Sequence, residues 1–238
     1  MKEEFLKYTE QFTDCKDIQR KIQHSLRVAD IMRNLAISLG TVDTEVAYKL
    51  GLLHDIGRFN EFALHQKYVN NDFDHGKNGV TVLEEGNYYR VHDIPETVIT
   101  PFLEAIYYHN KFELPKTVQG NEYAKLIRDA DKTDLLYLRG LDSLWELQYP
   151  KGGISPSVLA DFNAERCINH RDIKTTSDCI LSYLAFVYDI NYEESLSAIQ
   201  KNGYIQTIFN NIDEPGELKE SFKKINDYIE RRLNNVRK

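Results

Sequence analysis

The chain has 238 residues, of which 42% are hydrophobic and 28% charged, a composition that excludes a largely disordered protein and supplies a sizeable core. Its formal net charge is −7, which argues against a broad surface for extended nucleic acid, because such surfaces depend on clustered Lys and Arg. No apolar run approaches the roughly 18 residues that a membrane span requires, and the charged start MKEEFLKYTE lacks the apolar stretch of a signal peptide, so we expect a cytoplasmic protein without a membrane partner.

The spacing of apolar residues predicts an all-α fold. Only 12 Gly and 6 Pro interrupt stretches in which apolar residues recur every three or four positions. A first helix is predicted over 17–39, ending at Gly40, and a second over 43–56, with Gly57 beyond its end. Further helices are predicted over 75–86, 96–110 and 120–139, while the polar segment 57–74 is expected to combine a short helix with loop.

A soft domain boundary is predicted at residues 149–153, where Pro and Gly interrupt the helical pattern. Residues 1–148 would form a helical bundle that carries the chemistry. Residues 149–238 would form an appended helical layer packed on that core, or one continuous domain with it. Helices are expected in this layer over 156–164, 175–189, 192–201 and 216–235, and none of them carries recognisable chemistry.

Three polar residues lie on otherwise apolar faces of the first two predicted helices. His24 is followed by apolar residues at offsets of 4, 7 and 11, and His54 is preceded by apolar residues at offsets of 7 and 4. Asp55 lies four residues after Gly51, a small residue that leaves room for a group approaching the carboxylate. We therefore expect all three side chains to point inward.

Asp131 interrupts an apolar stripe, because it lies four residues after Ile127 and four before Leu135. A buried carboxylate without a partner is very costly, so this position requires a cation, a hydrogen-bond network or a metal ion. Imidazoles and carboxylates are suitable ligands for a divalent transition metal. The predicted ligands are His24, His54, Asp55 and Asp131. The alternative is that helix neighbours satisfy four buried polar residues.

Two further histidines extend the predicted site. His75 shares a helix face with Gly79 and two apolar residues, and His109 lies on an apolar face that includes Phe102. They would hold a second ion, with Asp55 as the bridge between the two. A pair of ions of this kind holds a nucleophilic water or hydroxide and clamps phosphate oxygens. The alternatives are that both histidines are core residues bonded to backbone, or that they bind substrate.

The order and the local sequences of these residues resemble the HD superfamily of metal-dependent phosphohydrolases. After His24 come the segments GLLHDIGR and RDADKTDLL, and the intervening DHGKNGV and AIYYHN are similar to the segments that carry the additional histidines of binuclear members. The resemblance covers about residues 20–138. It implies that residues 1–148 form an HD-type, all-helical bundle with the four metal ligands just given, and that the protein hydrolyses a phosphoester or phosphoanhydride, often in a nucleotide. The cofactor would be one or two ions of iron, manganese, zinc or a similar metal.

Two cations are candidates for binding a substrate phosphate. Arg58 stands where related hydrolases often carry Lys, and a guanidinium binds phosphate with two parallel hydrogen bonds. Lys132 directly follows the predicted ligand Asp131. We predict catalytic roles for Asp55, Arg58 and Lys132. The alternatives are that Arg58 meets helix carbonyls or a surface acid, and that Lys132 is solvated.

Two other functions remain open at this point. The six-residue set is also similar to that of binuclear iron oxygenases on the same scaffold, and a nucleotide-sensing module would use the pocket without turnover. The GYP signature of cyclic-dinucleotide phosphodiesterases is absent. A small phosphorylated substrate, in particular a nucleotide, is the expected partner, and the oligomeric state is open.

Overall fold

The computed structural model describes residues 1–12, 15–66, 68, 73–91, 93–141, 149–213 and 215–235. All regular secondary structure in these residues is helical, which confirms the predicted all-α fold. None of the described helices combines the length with the hydrophobicity that crossing a membrane requires.

The chain divides into two compact units, Met1–Asp131 and Lys132–Lys238. The predicted boundary after residue 148 adjoins residues 142–148, which lie outside the described part of the chain. The predicted division into 1–148 and 149–238 therefore stays a prediction.

The predicted helices of the first unit are present, with ends that differ from the predicted ones by a few residues, and two short helices near Phe5 and Tyr88 were not predicted. They are α1 (Lys2–Thr9), α2 (Lys16–Leu39), α3 (Thr44–Leu53), α4 (Ile56–His65), α5 (His75–Glu85), α6 (Tyr88–Val91), α7 (Glu96–Tyr108) and the first half of α8 (Glu122–Leu141). The short helix expected in 57–74 is α4, and residues 67 and 69–72 of that segment lie outside the described residues.

Helix α1 was not predicted from the sequence. It has only 8 residues, too few to be stable alone in water, so tertiary packing has to hold it. The buried ring of Phe5 supplies that packing, since it meets the ring of Phe59 edge to face with the centroids 5.9 Å apart.

The close approach of α2 and α3 brings the first two predicted ligand segments together. A Cβ atom added at Gly51 would lie 2.7 Å from the Cα of Ala29 and 2.9 Å from the carbonyl oxygen of Val28. A larger residue at this position would therefore push the two helices apart. His24 on α2 and the end of α3 can face each other only because Gly51 has no side chain.

The second predicted helix is interrupted at Asp55. Helix α3 ends at Leu53, α4 begins at Ile56, and Asp55 between them has φ −103° and ψ 17°, outside the helical region. Gly57 therefore lies inside α4 rather than beyond a helix end. A Cβ atom there would come within 2.6 Å of the backbone of Gly79 on α5, so this glycine allows α4 and α5 to pack closely.

The second unit has its own apolar core. Its described helices are the end of α8, α9 (Pro156–Asn163), α10 (Thr176–Leu184), α11 (Glu193–Lys201), α12 (Tyr204–Asn210) and α13 (Leu218–Asn235), with 3₁₀ turns at His170–Asp172 and Ala185–Asp189. Fully buried residues of this core include Phe162, Leu181, Leu196 and Ile225. The helix predicted over 175–189 changes to a 3₁₀ turn at Ala185, and α12 was not predicted.

Candidate metal centre

Six His and Asp side chains meet in the first unit. They are His24 on α2, His54 and Asp55 at the junction of α3 and α4, His75 at the start of α5, His109 directly after α7, and Asp131 on α8. All six are the residues predicted as metal ligands. The structure places them in one cluster, and their role as ligands is taken up under the proposed function.

One group of the cluster faces the Oδ2 atom of Asp55. The Nε2 atoms of His24 and His54 lie 3.5 and 3.4 Å from this oxygen. Oδ1 of Asp131 lies 3.2 Å from His24 Nε2 and 3.8 Å from His54 Nε2. Two imidazole nitrogens and two carboxylate oxygens therefore surround one small volume.

A second group faces the other oxygen of the same carboxylate. The Nε2 atoms of His75 and His109 lie 3.6 and 3.4 Å from Asp55 Oδ1. The ligand atoms of His24, His54 and Asp55 lie within 4.8 Å of one another, and so do those of Asp55, His75 and His109. Asp55 thus belongs to two groups, each able to hold a metal ion.

The hydrogen bonds of the rings determine which nitrogen faces the carboxylates. Nδ1 of His54 lies 2.7 Å from the carbonyl oxygen of Gly51, and because a carbonyl only accepts, Nδ1 carries the proton. In this tautomer the lone pair is on Nε2, which has no hydrogen-bond partner in the described part of the chain and faces two carboxylates. A cation between these atoms removes the repulsion, so the donor set fits a divalent transition metal.

Comparison with known protein families agrees with this geometry. The family model of the HD domain matches residues 22–136, a range that contains all six residues of the cluster. The chain contains an HD domain. HD domains bind divalent metals, and the family consists generally of metal-dependent phosphohydrolases, with some members that are not enzymes. No curated protein and no solved structure matches the chain.

Both acids of the HD domain cluster are ionised at neutral pH. Burial opposes the ionisation of Asp55, but Lys21 and the surrounding imidazoles outweigh it and hold the pKa of Asp55 well below its usual range. Burial likewise opposes the charge on Asp131, whose pKa is lowered by the hydrogen bond and the charge of His24. Burial and the nearby Arg58 keep the pKa of His75 well below 6.5, so this ring is neutral and able to bind a metal.

Arg58 lies beside the cluster, in the first turn of α4. Its Nε atom is 3.8 Å from Asp55 Oδ1, and its Nη1 atom donates to Glu61 Oε2 at 2.7 Å and to the carbonyl oxygen of Tyr68. Glu61 is fully buried and was not among the predicted residues, although it follows Arg58 by three positions on one helix face. The role predicted for Arg58 in binding phosphate stays a prediction.

Lys21 also contacts the cluster and was not predicted. Its Nζ atom lies 2.7 Å from Asp55 Oδ2, and it precedes His24 by three positions on α2. The sequence signal is this spacing, because residues three apart share a helix face. If the site bound only metal cations, a positively charged side chain in contact with one of the predicted ligands would be unexpected.

Lys132, the second predicted phosphate-binding cation, belongs to the other unit. Its Nζ atom forms an ion pair with Asp189 Oδ2 at 2.8 Å and lies 6.0 Å from the centroid of the Phe186 ring. The side chain is 10% exposed, so it is not the solvated surface lysine of the alternative interpretation. Its predicted part in catalysis and substrate binding stays a prediction.

A network of polar side chains joins His75 to the residue after His109. Asn110 Nδ2 lies 3.1 Å from Asp74 Oδ1 and 3.3 Å from His75 Nδ1. Lys111 Nζ donates to the other oxygen of Asp74, and the backbone N–H of Lys77 donates to Asp74 as a helix cap. These contacts connect the start of α5 to the end of α7, where the two histidines of the second group lie.

Buried Arg128 on α8 fixes the segment that carries His109. Its guanidinium donates to the carbonyl oxygen of His109 at 3.2 Å and to that of Lys111 at 2.6 Å. Carbonyls at a helix end have no partner within the helix, so these bonds stabilise the chain where α7 stops. Arg128, at the start of the RDADK segment, thus positions His109 of the second group, whereas Asp131 of the same segment belongs to the first group.

Proposed function

We propose that this protein is a metal-dependent phosphohydrolase that cleaves a phosphoester or phosphoanhydride bond of a small substrate, in particular a nucleotide. Two divalent transition-metal ions would be held, one by His24, His54, Asp55 and Asp131, and one by Asp55, His75 and His109. The identity of the metal is open among iron, manganese, zinc and similar ions. The cytoplasmic location stays a prediction.

One observation carries the proposal: the two oxygens of Asp55 face two different histidine pairs, each at 3.4 to 3.6 Å. A carboxylate placed in this way is suited to bridge two ions. Such a pair, when bound, supplies Lewis acidity that activates water near neutral pH and neutralises phosphate oxygens.

The residues of the chain have separate tasks in this mechanism. The four imidazoles present ring nitrogens, and the two acids supply negative charge because both are ionised at neutral pH. Arg58 holds a non-bridging oxygen of the phosphoryl group, since its Nε atom has no hydrogen-bond partner among the described residues and lies next to Asp55. Stabilising the charge that develops on the phosphoryl group is the main contribution of such cations.

The test is phosphate release by the purified protein loaded with Mn²⁺, Fe²⁺ or Zn²⁺, assayed with nucleoside phosphates, dinucleoside polyphosphates and p-nitrophenyl phosphate. We expect Asp55→Asn to lose about 1,000-fold or more in kcat/KM, because both ions depend on this carboxylate. Asp30→Asn is the matched control, since Asp30 is exposed on α2, and it should keep the activity of the wild type.

Running the assay with and without oxygen distinguishes a hydrolase from the two alternative functions, an iron oxygenase and a nucleotide-sensing module. Release of phosphate under argon is the expected result. Consumption of oxygen without release of phosphate would identify an iron oxygenase and contradict the proposal. Tight nucleotide binding without any product would identify a sensing module and contradict it equally.

A further inference from the structure

Lys21 contacts the shared carboxylate of Asp55, although an ammonium group has no lone pair and cannot itself bind a metal ion. The Nζ atom lies 2.7 Å from Oδ2 of the shared carboxylate, where it competes with a metal ion for the same negative charge. Two cations near one carboxylate repel each other strongly where little water screens them. A positive side chain at this place needs a different explanation.

The two oxygens of Asp55 each have a cation beside them. Lys21 lies on the Oδ2 side, at 2.7 Å, and Arg58 on the Oδ1 side, with Nε at 3.8 Å. The nearby acids are Asp55, Asp131 and Glu61. Their negative charge is smaller than the positive charge of two divalent ions and these two side chains. The excess positive charge favours a multiply charged anion such as a phosphoryl group.

Exposure indicates from which direction an anion reaches the cluster. The side chains of Lys21, Arg58 and Asp131 are 17%, 23% and 20% exposed, whereas those of His54 and Asp55 are 0% and 6% exposed. The two cations therefore lie, with Asp131, among the more exposed side chains at the cluster. An anion that arrives from solvent can therefore reach both cations.

We propose that Lys21 binds the phosphoryl group of the substrate, on the side of Asp55 that faces His24 and His54. This inference rests on the proposed function and adds a catalytic residue to it. An ammonium group has three N–H donors, so Lys21 keeps one hydrogen bond to Asp55 and donates another to a non-bridging phosphate oxygen. Lys21 and Arg58 together bind the phosphoryl group from its two sides.

The experiment measures binding of inorganic phosphate to the manganese-loaded protein by isothermal titration calorimetry, independently of turnover. Lys21→Met should weaken phosphate binding by about tenfold or more, because a charge-assisted hydrogen bond is lost. Its manganese content per chain should equal that of the wild type. Lys21→Arg should recover most of the affinity. Lys16→Met, the same change at an exposed position of α2, should bind phosphate as the wild type does.

Each other outcome overturns the inference. If Lys21→Met binds phosphate as tightly as the wild type, Lys21 does not contact the anion, and the phosphohydrolase proposal still stands on its own assay. If Lys21→Met loses manganese, the lysine positions Asp55 instead. If the loaded wild type binds no phosphate, the inference fails, and the separate test of phosphate release decides the proposed function. Circular dichroism checks folding, and Lys21→Gln replaces Lys21→Met under the same criteria if the latter does not fold.

Discussion

The Nδ1 atom of His54 lies 2.7 Å from the carbonyl oxygen of Gly51, three residues earlier in the chain. His109 repeats the contact with the carbonyl oxygen of Ile106, also at 2.7 Å. Both histidines directly follow the last residue of a helix, where carbonyl groups lack partners within the helix. At each helix end, one hydrogen bond from the ring thus satisfies a backbone carbonyl. The same bond orients the ring so that Nε2 faces Asp55.

Removing His109 should remove one ion and leave the other. His109→Ala takes a ligand from the second group only, so we expect the metal content to fall from about two ions per chain to about one. Elemental analysis of the purified protein measures this. The exposed His65 provides the control, because His65→Ala should keep both ions. An unchanged metal content in His109→Ala would show that the second group holds no ion.

Asn110→Ala should weaken the second ion without removing a ligand. Asn110 holds His75 and Asp74 in place, and loss of such a supporting contact lowers metal affinity by about 10- to 100-fold. Titration with a competing chelator measures the affinity of each ion, and the first ion should be unaffected. Gln119→Ala, a change of an exposed amide beyond the end of α7, should alter neither. Equal weakening of both ions would contradict the division into two groups.

The six clustered residues could be found from the sequence because their signal is local. A polar residue within an apolar helical stripe, as at Asp131, is visible in a few turns of one helix. For Lys21 and Glu61 the only sequence signal is a three-residue spacing to His24 and Arg58, which does not reveal the contacts that they form in the folded chain. Lys21 meets Asp55 across 34 positions, a distance that periodicity does not predict.

Lys132 was predicted only from its position next to Asp131, and its role stays a prediction. Successive residues of an α-helix point about 100° apart, so the neighbour of a residue in the cluster does not share its direction. Asp131 faces His24, whereas the ammonium group of Lys132 pairs with Asp189.

The helix break at Asp55 was not predicted, because GLLHDIG continues the apolar pattern of α3 while the backbone leaves the helical region at a single residue.

Gly51→Ala should destabilise the protein by about 2 kcal/mol or more. The new methyl group would lie 2.7 to 2.9 Å from backbone atoms of Ala29 and Val28, and backbone cannot move aside as a flexible side chain does. Urea denaturation measures the change in the free energy of unfolding. Gly120→Ala is the matched control, since nothing lies within 4 Å of its added Cβ. If both variants unfolded at the same urea concentration, that result would contradict the close packing of α2 on α3 at Gly51.

Asp178 should make the stability of the protein depend on pH. Although burial opposes its charge, the N–H groups of Ser155, Lys174 and Thr175 and the Ser155 hydroxyl donate to its carboxylate and lower its pKa below 3.8. A group with a lowered pKa in the folded state stabilises the protein fully above its unfolded pKa and loses this contribution as pH falls through the folded pKa.

Asp178→Asn should therefore lower the free energy of unfolding at pH 7 by about 2 kcal/mol, because an amide cannot accept all of these bonds. The difference from the wild type should narrow below about pH 3.8, the pKa of an ordinary Asp. Urea denaturation at pH 7, 5 and 3.5 measures both effects. Asp227→Asn, at an exposed position 57% accessible to solvent, should change stability little at any pH. A difference between Asp178→Asn and the wild type that is constant across this range would rule out ionised Asp178 as the source of the stabilisation.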